Sequence, residues 1–550
     1  MTRNALLSTT AALVVLQLGS RVFSFALNQV LLRSTSPHAF GVATIQFDTL
    51  RDTVLFLLRE GIRGAVVRTR STKTTNGSRL VVERQSRLIP ALCWPLVVPV
   101  FYLFSRASAS ASRDRDRTLL LYAASTVIEL WSEPMYLATL AEWERLTPTR
   151  VRIEGLAVVT KALATLVALR RGGGALEAYG WGQVTYALTL LIGLGFAVRT
   201  RTTATATDDD GWGLQKSEDG RYFDRDVVRL GWALTKQSAV KQVLTEGDKL
   251  AVARFGRADD LAGYAVALNY GSLVARIVFQ PIEESSRLYF SSLSASASSG
   301  RRERLGSLES MSEHLSHVLM FYAHLSLVLT LLAPAYVAPA VQVVLGARWS
   351  DAASRTLTAY VYSLPFLAVN GVLEAAVQSV ADDRGLRLAS AWMGVCTVAF
   401  AATVAATLGR GGQGSVGLVV ANCVAMALRI VFSSWYLWRY FRTELDRDKD
   451  KDNEEEEEEE EEGARRRRVW ENLSPVASWG PSGSSVVAFG MGSRVVEASR
   501  VRAAGGGVVA HFATGAVVGV ACLAVVAWSN RTRLGAAVTD LARRRRTKVE

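Results

Sequence analysis

The chain has 550 residues, with 63 Lys+Arg against 50 Asp+Glu and a formal charge of +13. Hydrophobic residues make up 49% and charged residues 21%, a balance that excludes a collagen, a disordered acidic chain and a small disulfide scaffold without naming a class. Charge is clumped, however: nine consecutive glutamates occupy 454–462, and the rest of the chain is more basic still. Between the clumps lie apolar stretches long enough to cross a bilayer, which takes about 20 residues each. The fold class expected is an all-α polytopic membrane protein.

The first apolar stretch, 6–32, begins like a signal peptide but resumes beyond Arg21 without a small-residue cleavage pattern, so it reads as an uncleaved first span. Further spans are expected at 41–67, 88–104, 119–140, 153–169 and 179–198. A polar linker at 199–226, taken as cytosolic, separates them from spans at 227–255, 261–290, 315–337, 357–380, 388–408 and 415–440. Six plus six around a linker suggests two pseudo-symmetric six-helix bundles, 1–198 and 227–440, around a central cavity, a plan common in transporters. Residues 441–475 carry the glutamates and the arginines of 465–468; such a segment cannot bury a core and reads as a disordered, charged cytosolic loop. Two additional helices fall within 476–530, a marginal one at 484–501 containing Arg494 and Glu497 and a strongly apolar one at 508–528, before a basic tail at 531–550. The total is about 14 transmembrane helices, and an even number puts both ends on one side.

Basic residues choose that side. Arg68, Arg70, Lys73, Arg79, Arg84 and Arg87 follow the second span, and Arg145, Arg150, Arg152, Arg301, Arg302 and Arg304 lie in other even-numbered loops. With both termini cytosolic these loops obey the positive-inside tendency, the Arg-rich loop at 106–117 being the exception. Sequons at Asn76, Asn472 and Asn530 then fall in the cytosol and stay unused.

Cys93, Cys396, Cys423 and Cys522 each stand alone in an apolar stretch, without metal spacing, and read as packing residues. His314, His317 and His324 share one helix but have no carboxylate or thiol to complete a zinc site, so an interfacial helix face is the better reading. There is no phosphate-binding GxxxxGK[ST] loop and no catalytic constellation. The chain is therefore read as no enzyme, with no cofactor, no metal and no nucleic-acid partner, and any transport as passive or ion-coupled.

Polar groups at membrane depth are costly and face a cavity or another helix. Gln17, Arg21, Ser24 and Asn28 form one helical stripe, and Asp48, Asp52, Arg59 and Arg63 form another. Gln237, Lys241, Thr245 and Asp248, with Glu246 adjacent, make a third; Asn269, Ser272, Arg276, Gln280 and Glu283 make a fourth. Weaker stripes pair Glu129 with Glu133, Asn370 with Glu374 and Gln378, and Asn422 with Arg429. Each could be glue between helices. Each charge also costs at least about 2.5–3.5 kcal/mol on insertion scales, so the set is better explained by a wet cavity lined with guanidinium groups. Arginine's fork suits phosphate oxygens, and the inferred ligand is an anion of phosphate or pyrophosphate type.

Several stretches go further. The runs 20–29, 31–33 and 55–63, the segments around Lys236, Gln237, Lys241 and Glu246, those around Ser272, Arg276, Gln280 and Glu283, and Ser415 with Asn422 and Arg429 together resemble the family of dolichol-linked oligosaccharide translocation proteins of the endoplasmic reticulum. Glu129 with Glu133, and Asn370 with Glu374, fit as well. The resemblance implies the fold of the multidrug/oligosaccharidyl-lipid/polysaccharide flippase superfamily, two six-helix bundles forming a V-shaped cavity plus two extra helices. It also implies a task in N-glycosylation: moving Man(5)GlcNAc(2)-PP-dolichol from the cytosolic to the lumenal leaflet. Arg21, Arg33, Arg59, Arg276 and Arg429 match the family's intramembrane arginines; with Asn28 and Lys241 they are the expected substrate-binding set. Glu60, Glu129, Glu246, Glu283, Glu374 and Asn422 are the expected structural or gating groups. The partners implied are the oligosaccharide lipid, membrane lipids and other membrane proteins of the glycosylation pathway. A non-transporting scaffold of that pathway is the alternative; a cation-coupled drug exporter would want acidic rather than arginine-rich stripes.

Overall fold

The computed structural model describes residues 26–27, 29–72, 86–107, 113–141, 143–202, 222–255, 258–296, 301–409, 414–446, 456–474, 478–503 and 507–531. The regular elements among these are all helices. Ser36 caps the first short helix, Pro37–Gly41, its Oγ accepting from the Ala39 amide, with Pro37 pre-set for the first turn. A π-helical stretch, Val42–Asp48, leads into α1, Thr49–Thr72. The expected span at 88–104 is broken: Pro90 and Pro95 divide it into Ile89–Leu92, a 3-10 turn at Trp94–Leu96 and α2, Val97–Ala107. Then come α3 (Arg113–Ala141), α4 (Trp143–Arg170), α5 (Ala175–Thr202) and α6 (Arg225–Phe255).

The expected span at 261–290 is one path of several pieces. It starts as α7, Ala258–Val266, passes through π turns at Ala267–Gly271 and Ala275–Phe279 on either side of Ser272–Val274, and continues as α8, Gln280–Ser296. Next are α9 (Arg301–Leu327), α10 (Pro334–Val344), α11 (Ser350–Val380), α12 (Asp383–Gly409) and α13 (Gly414–Asp446). Gly346, at φ +96, makes the turn after α10 that a side chain would strain. The chain continues through α14 (Glu456–Leu473), α15 (Gly483–Ala503) and α16 (Val508–Ser529).

The chain divides into two compact units, Met1–Ala265 and Val266–Glu550. In the first, α6 runs antiparallel to α1: Gly61 lies against Gly231 and Thr235, and Ile62, Ala65, Val66 and Val227 form an apolar cluster between them. The helix expected to open the second bundle, 227–255, thus packs within this unit. α3 is parallel to α5, with Gly180 on Leu121 and Gly195 on Met135, and α4 is antiparallel to α5 through Thr160 and Thr189 at 3.0 Å. In the second unit the α7–α8 path runs parallel to α11, with Gly271 on Tyr360 and Ser291 on Ser379. α12 lies antiparallel to α13, its Trp392 Nε1 donating to the Leu428 carbonyl at 3.0 Å. α15 and α16 form an antiparallel pair around Phe489, Val496 and Cys522.

Residues 456–473 correct the expectation of disorder across 441–475: they form α14. Glutamates open the helix and arginines close it, which suits the helix dipole, and Glu461 and Arg465 pair at i, i+4, 2.9 Å apart. Val469 is fully buried, Arg468 bridges Glu309 at 2.7 Å, and Asn472 Nδ2 donates to Ser312 Oγ at 3.2 Å. One apolar anchor and a ladder of pairs fix α14 parallel to α9. Charge content alone misjudged the segment because its partners lie on another helix.

Among the described residues, seven helices are long and apolar enough to cross a membrane: Ala175–Arg199, Asp260–Ser294, Arg302–Leu332, Ala353–Val380, Asp383–Thr407, Gly414–Asp446 and Val508–Ser529. Together they make this a polytopic membrane protein.

Candidate functional site

In the first unit the charged stripe of α1 meets α3. Arg51 and Arg59 both donate to Glu129, Arg59 Nη1 at 2.8 Å, and Arg63 grips Glu133 with Nε and with Nη2 at 2.8 Å. Glu129 and Glu133 are buried, 4% and 1% exposed. The Tyr136 ring covers the Arg63 guanidinium at 4.0 Å and meets Arg150 at 5.2 Å. Lys161 of α4 lies 3.9 Å from Asp48, and Arg51 contacts Asp52 at 2.6 Å. Four cations and four carboxylates therefore answer one another, which is how a low-dielectric interior tolerates charge. Arg59, expected to bind substrate, spends a donor on Glu129. Arg51, Tyr136 and Lys161 were not singled out in the sequence; the signal available was the matching four-residue spacing of Arg59 with Arg63 and of Glu129 with Glu133.

The second unit is different. Arg276 sits in the second π turn, exposed, and donates to Ser272 Oγ at 2.6 Å and to the Asn269 carbonyl at 3.3 Å. A π turn changes the register of backbone bonds, and Arg276 covers a carbonyl there. Among the described residues no carboxylate pairs with it within salt-bridge distance. Of the expected stripe, Asn269, Ser272 and Arg276 come together, while Gln280 turns to Glu284 at 3.5 Å and Glu283 to Arg287 at 2.7 Å. Glu374 accepts from Asn370 and Gln378 on its own helix. Arg429 hydrogen-bonds Cys396 across the α12–α13 contact, and its Nε is buried without a partner.

Arg33 and Glu60 are exposed, and Asn422 is half-buried on α13. Arg21 and Asn28 lie outside the described residues, as do the side chains of Lys241 and Glu246. The sequon residues Asn472 and Asn530 use their amide nitrogens inside the fold, the latter on the Val526 carbonyl at 3.0 Å, so neither is free to carry a glycan. The candidate metal ligands fare no better: His314 meets Ser286 at 3.0 Å and His324 the Met320 carbonyl at 2.8 Å, and the described residues contain no group of three or more metal-binding side chains.

The chain matches the family model "Rft protein" over residues 6–539. Man(5)GlcNAc(2)-PP-dolichol translocation protein RFT1 of Yarrowia lipolytica is 31% identical over 495 residues, covering 79% of this chain and 71% of that protein. The protein of the same name from Schizosaccharomyces pombe is 28% identical over 440 residues, covering 76% and 80%. Among solved structures, the inward closed conformation of the lipid II flippase MurJ aligns with a TM-score of 0.60 at 11% identity, covering 94% of this chain and 100% of that one. That likeness concerns the fold alone. By the extent of the family match and of the relatives, the chain belongs to the Rft protein family.

Proposed function

We propose that the chain moves Man(5)GlcNAc(2)-PP-dolichol from the cytosolic to the lumenal leaflet of the endoplasmic reticulum membrane, as a transporter and not an enzyme. The substrate is the one named for its relatives. The observation that carries the reading is Arg276: a guanidinium on a membrane-spanning path, exposed, held by neutral oxygens and without a carboxylate partner. Such a group can exchange its neutral acceptors for a pyrophosphate oxygen without stranding an opposite charge. In this scheme the chain has fourteen spans in two bundles with both termini in the cytosol, the sugars cross along a wet path, and the dolichol stays in lipid. Arg33 and Arg429 assist Arg276, whereas Arg59 fastens helices.

The paired charges of the first unit favour a second reading, a rigid scaffold that retains glycosylation enzymes. Purified protein in vesicles containing labelled Man(5)GlcNAc(2)-PP-dolichol separates the two. Accelerated transfer between leaflets supports the transporter. Unchanged transfer, with depleted cells still lacking lumenal precursor, favours the scaffold. A sequon engineered near Arg410 should be glycosylated and native Asn76 should not; modification of Asn76 overturns the orientation.

A further inference from the structure

A separate charged group lies where α8 meets α11, both within membrane-length helices. Glu283 Oε1 accepts from Arg287 Nη2 at 2.7 Å, and its Oε2 rests on Gly371, where an added Cβ would lie 2.9 Å away. Glu374 stands one turn beyond Gly371 on α11, and the two carboxylates act on each other electrostatically. Among the described residues, Glu374 takes its hydrogen bonds from carboxamides, Asn370 Nδ2 at 3.3 Å and Gln378 Nε2 at 3.1 Å. Asn370 is 6% exposed, and its Oδ1, on the same planar amide that touches Glu374, is buried without a hydrogen-bond partner.

Charge here does not balance, in contrast to the first unit. Two carboxylates contact one cation, Arg287. Of the neighbouring titratable groups, Glu284 is exposed beside Gln280, Tyr322 of α9 faces Glu283, and His314 of α9 is bonded to Ser286 farther along α8. A carboxylate at membrane depth without a cation takes up a proton rather than remain charged, and two neighbouring carboxylates keep one proton between them. Asn370 supplies the missing acceptor. With its amide turned over, Oδ1 accepts from a protonated Glu374; as drawn, Nδ2 donates to the carboxylate. The two amide orientations correspond to two protonation states.

We propose that Glu374 and Glu283 together hold one exchangeable proton, with Asn370 as the group that responds to it. The step is proton transfer alone: an O–H bond forms on a glutamate oxygen as a hydronium ion becomes water. The site stands independently of the glycolipid reading.

The test is infrared spectroscopy of the full chain in lipid nanodiscs, following the C=O stretch of protonated carboxyl groups. A band present at neutral pH and abolished by Glu374→Gln is the expected result, with Glu471→Gln on the exposed face of α14 as the unaffected control. Asn370→Leu, which keeps both glutamates, should shift the frequency of the band and decides the matter if Glu374→Gln does not fold. Absence of the band in the native chain, or a band unmoved by the variants that fold, overturns the proposal.

Discussion

Arg63 holds Glu133 by two edges of its guanidinium while lying 4.0 Å beneath the Tyr136 ring. The carboxylate is 1% exposed, so its loss leaves a cation packed against an aromatic face with no counter-charge. Glu133→Gln is therefore expected to destabilise the chain by about 3–5 kcal/mol, the cost of breaking a buried pair from one side. Exchanging the pair, Arg63→Glu with Glu133→Arg, should recover part of that loss. Folded yield after heating in detergent measures both, and normal yield for Glu133→Gln alone would contradict the pairing.

Arg276 should behave in the opposite way. Its bonds to Ser272 and Asn269 are at an exposed site, and losing them costs only about 0.5–1.5 kcal/mol each. Arg276→Ala should leave protein level close to normal while glycosylation rescue in a family-deficient cell falls roughly ten- to hundredfold, the value of a charge-assisted bond of about 1.5–3 kcal/mol. Arg276→Lys keeps the charge without the fork and should fall between. Rescue that tracks protein level in both variants would reject a substrate role.

The α1–α6 contact depends on the absence of side chains. A Cβ on Gly61 would collide with the Gly231 carbonyl and with Thr235 of the facing helix. Gly61→Ala should cost about 1–3 kcal/mol as the two backbones separate. Thermal unfolding of the purified variant checks this, and pairing it with Thr235→Ala, which removes the nearest obstructing atom, should lessen the loss.

Val469→Asp should release α14 from α9, since it places a charge where the side chain is fully buried. Limited proteolysis near the glutamate run reads the release. Acid should loosen the same helix. Arg465 holds the Glu461 carboxyl below the usual glutamate range, the hydrogen bond being the main cause. A depressed carboxyl contributes stability above its ordinary range and loses it as pH falls through the lowered value. Glu461 is on the surface, so salt should weaken the pair as well.

Most of the spans were legible because apolar runs such as 388–408 and 508–528 have no alternative to a membrane helix. The side on which each polar group emerges was less legible. The stripe from Asn269 to Glu283 assumed an unbroken 3.6-residue helix, but two π turns shift the faces beyond them, which sends Glu283 to Gly371 while Arg276 stays exposed. No periodicity reports such turns. Likewise Arg51 drew no notice beside Asp52, although it reaches Glu129 78 residues away. For α14, helical pattern and partners were hidden by a run of a single residue type.

Fixing α14 to α9 also sets a reach. Only nine residues, 447–455, connect the end of α13 to the start of α14, and at full extension they span about 30 Å at 3.3–3.6 Å each. The end of α13 is therefore leashed to the start of α9, and any conformational cycle of this unit must keep those two points within that distance unless α14 first lets go.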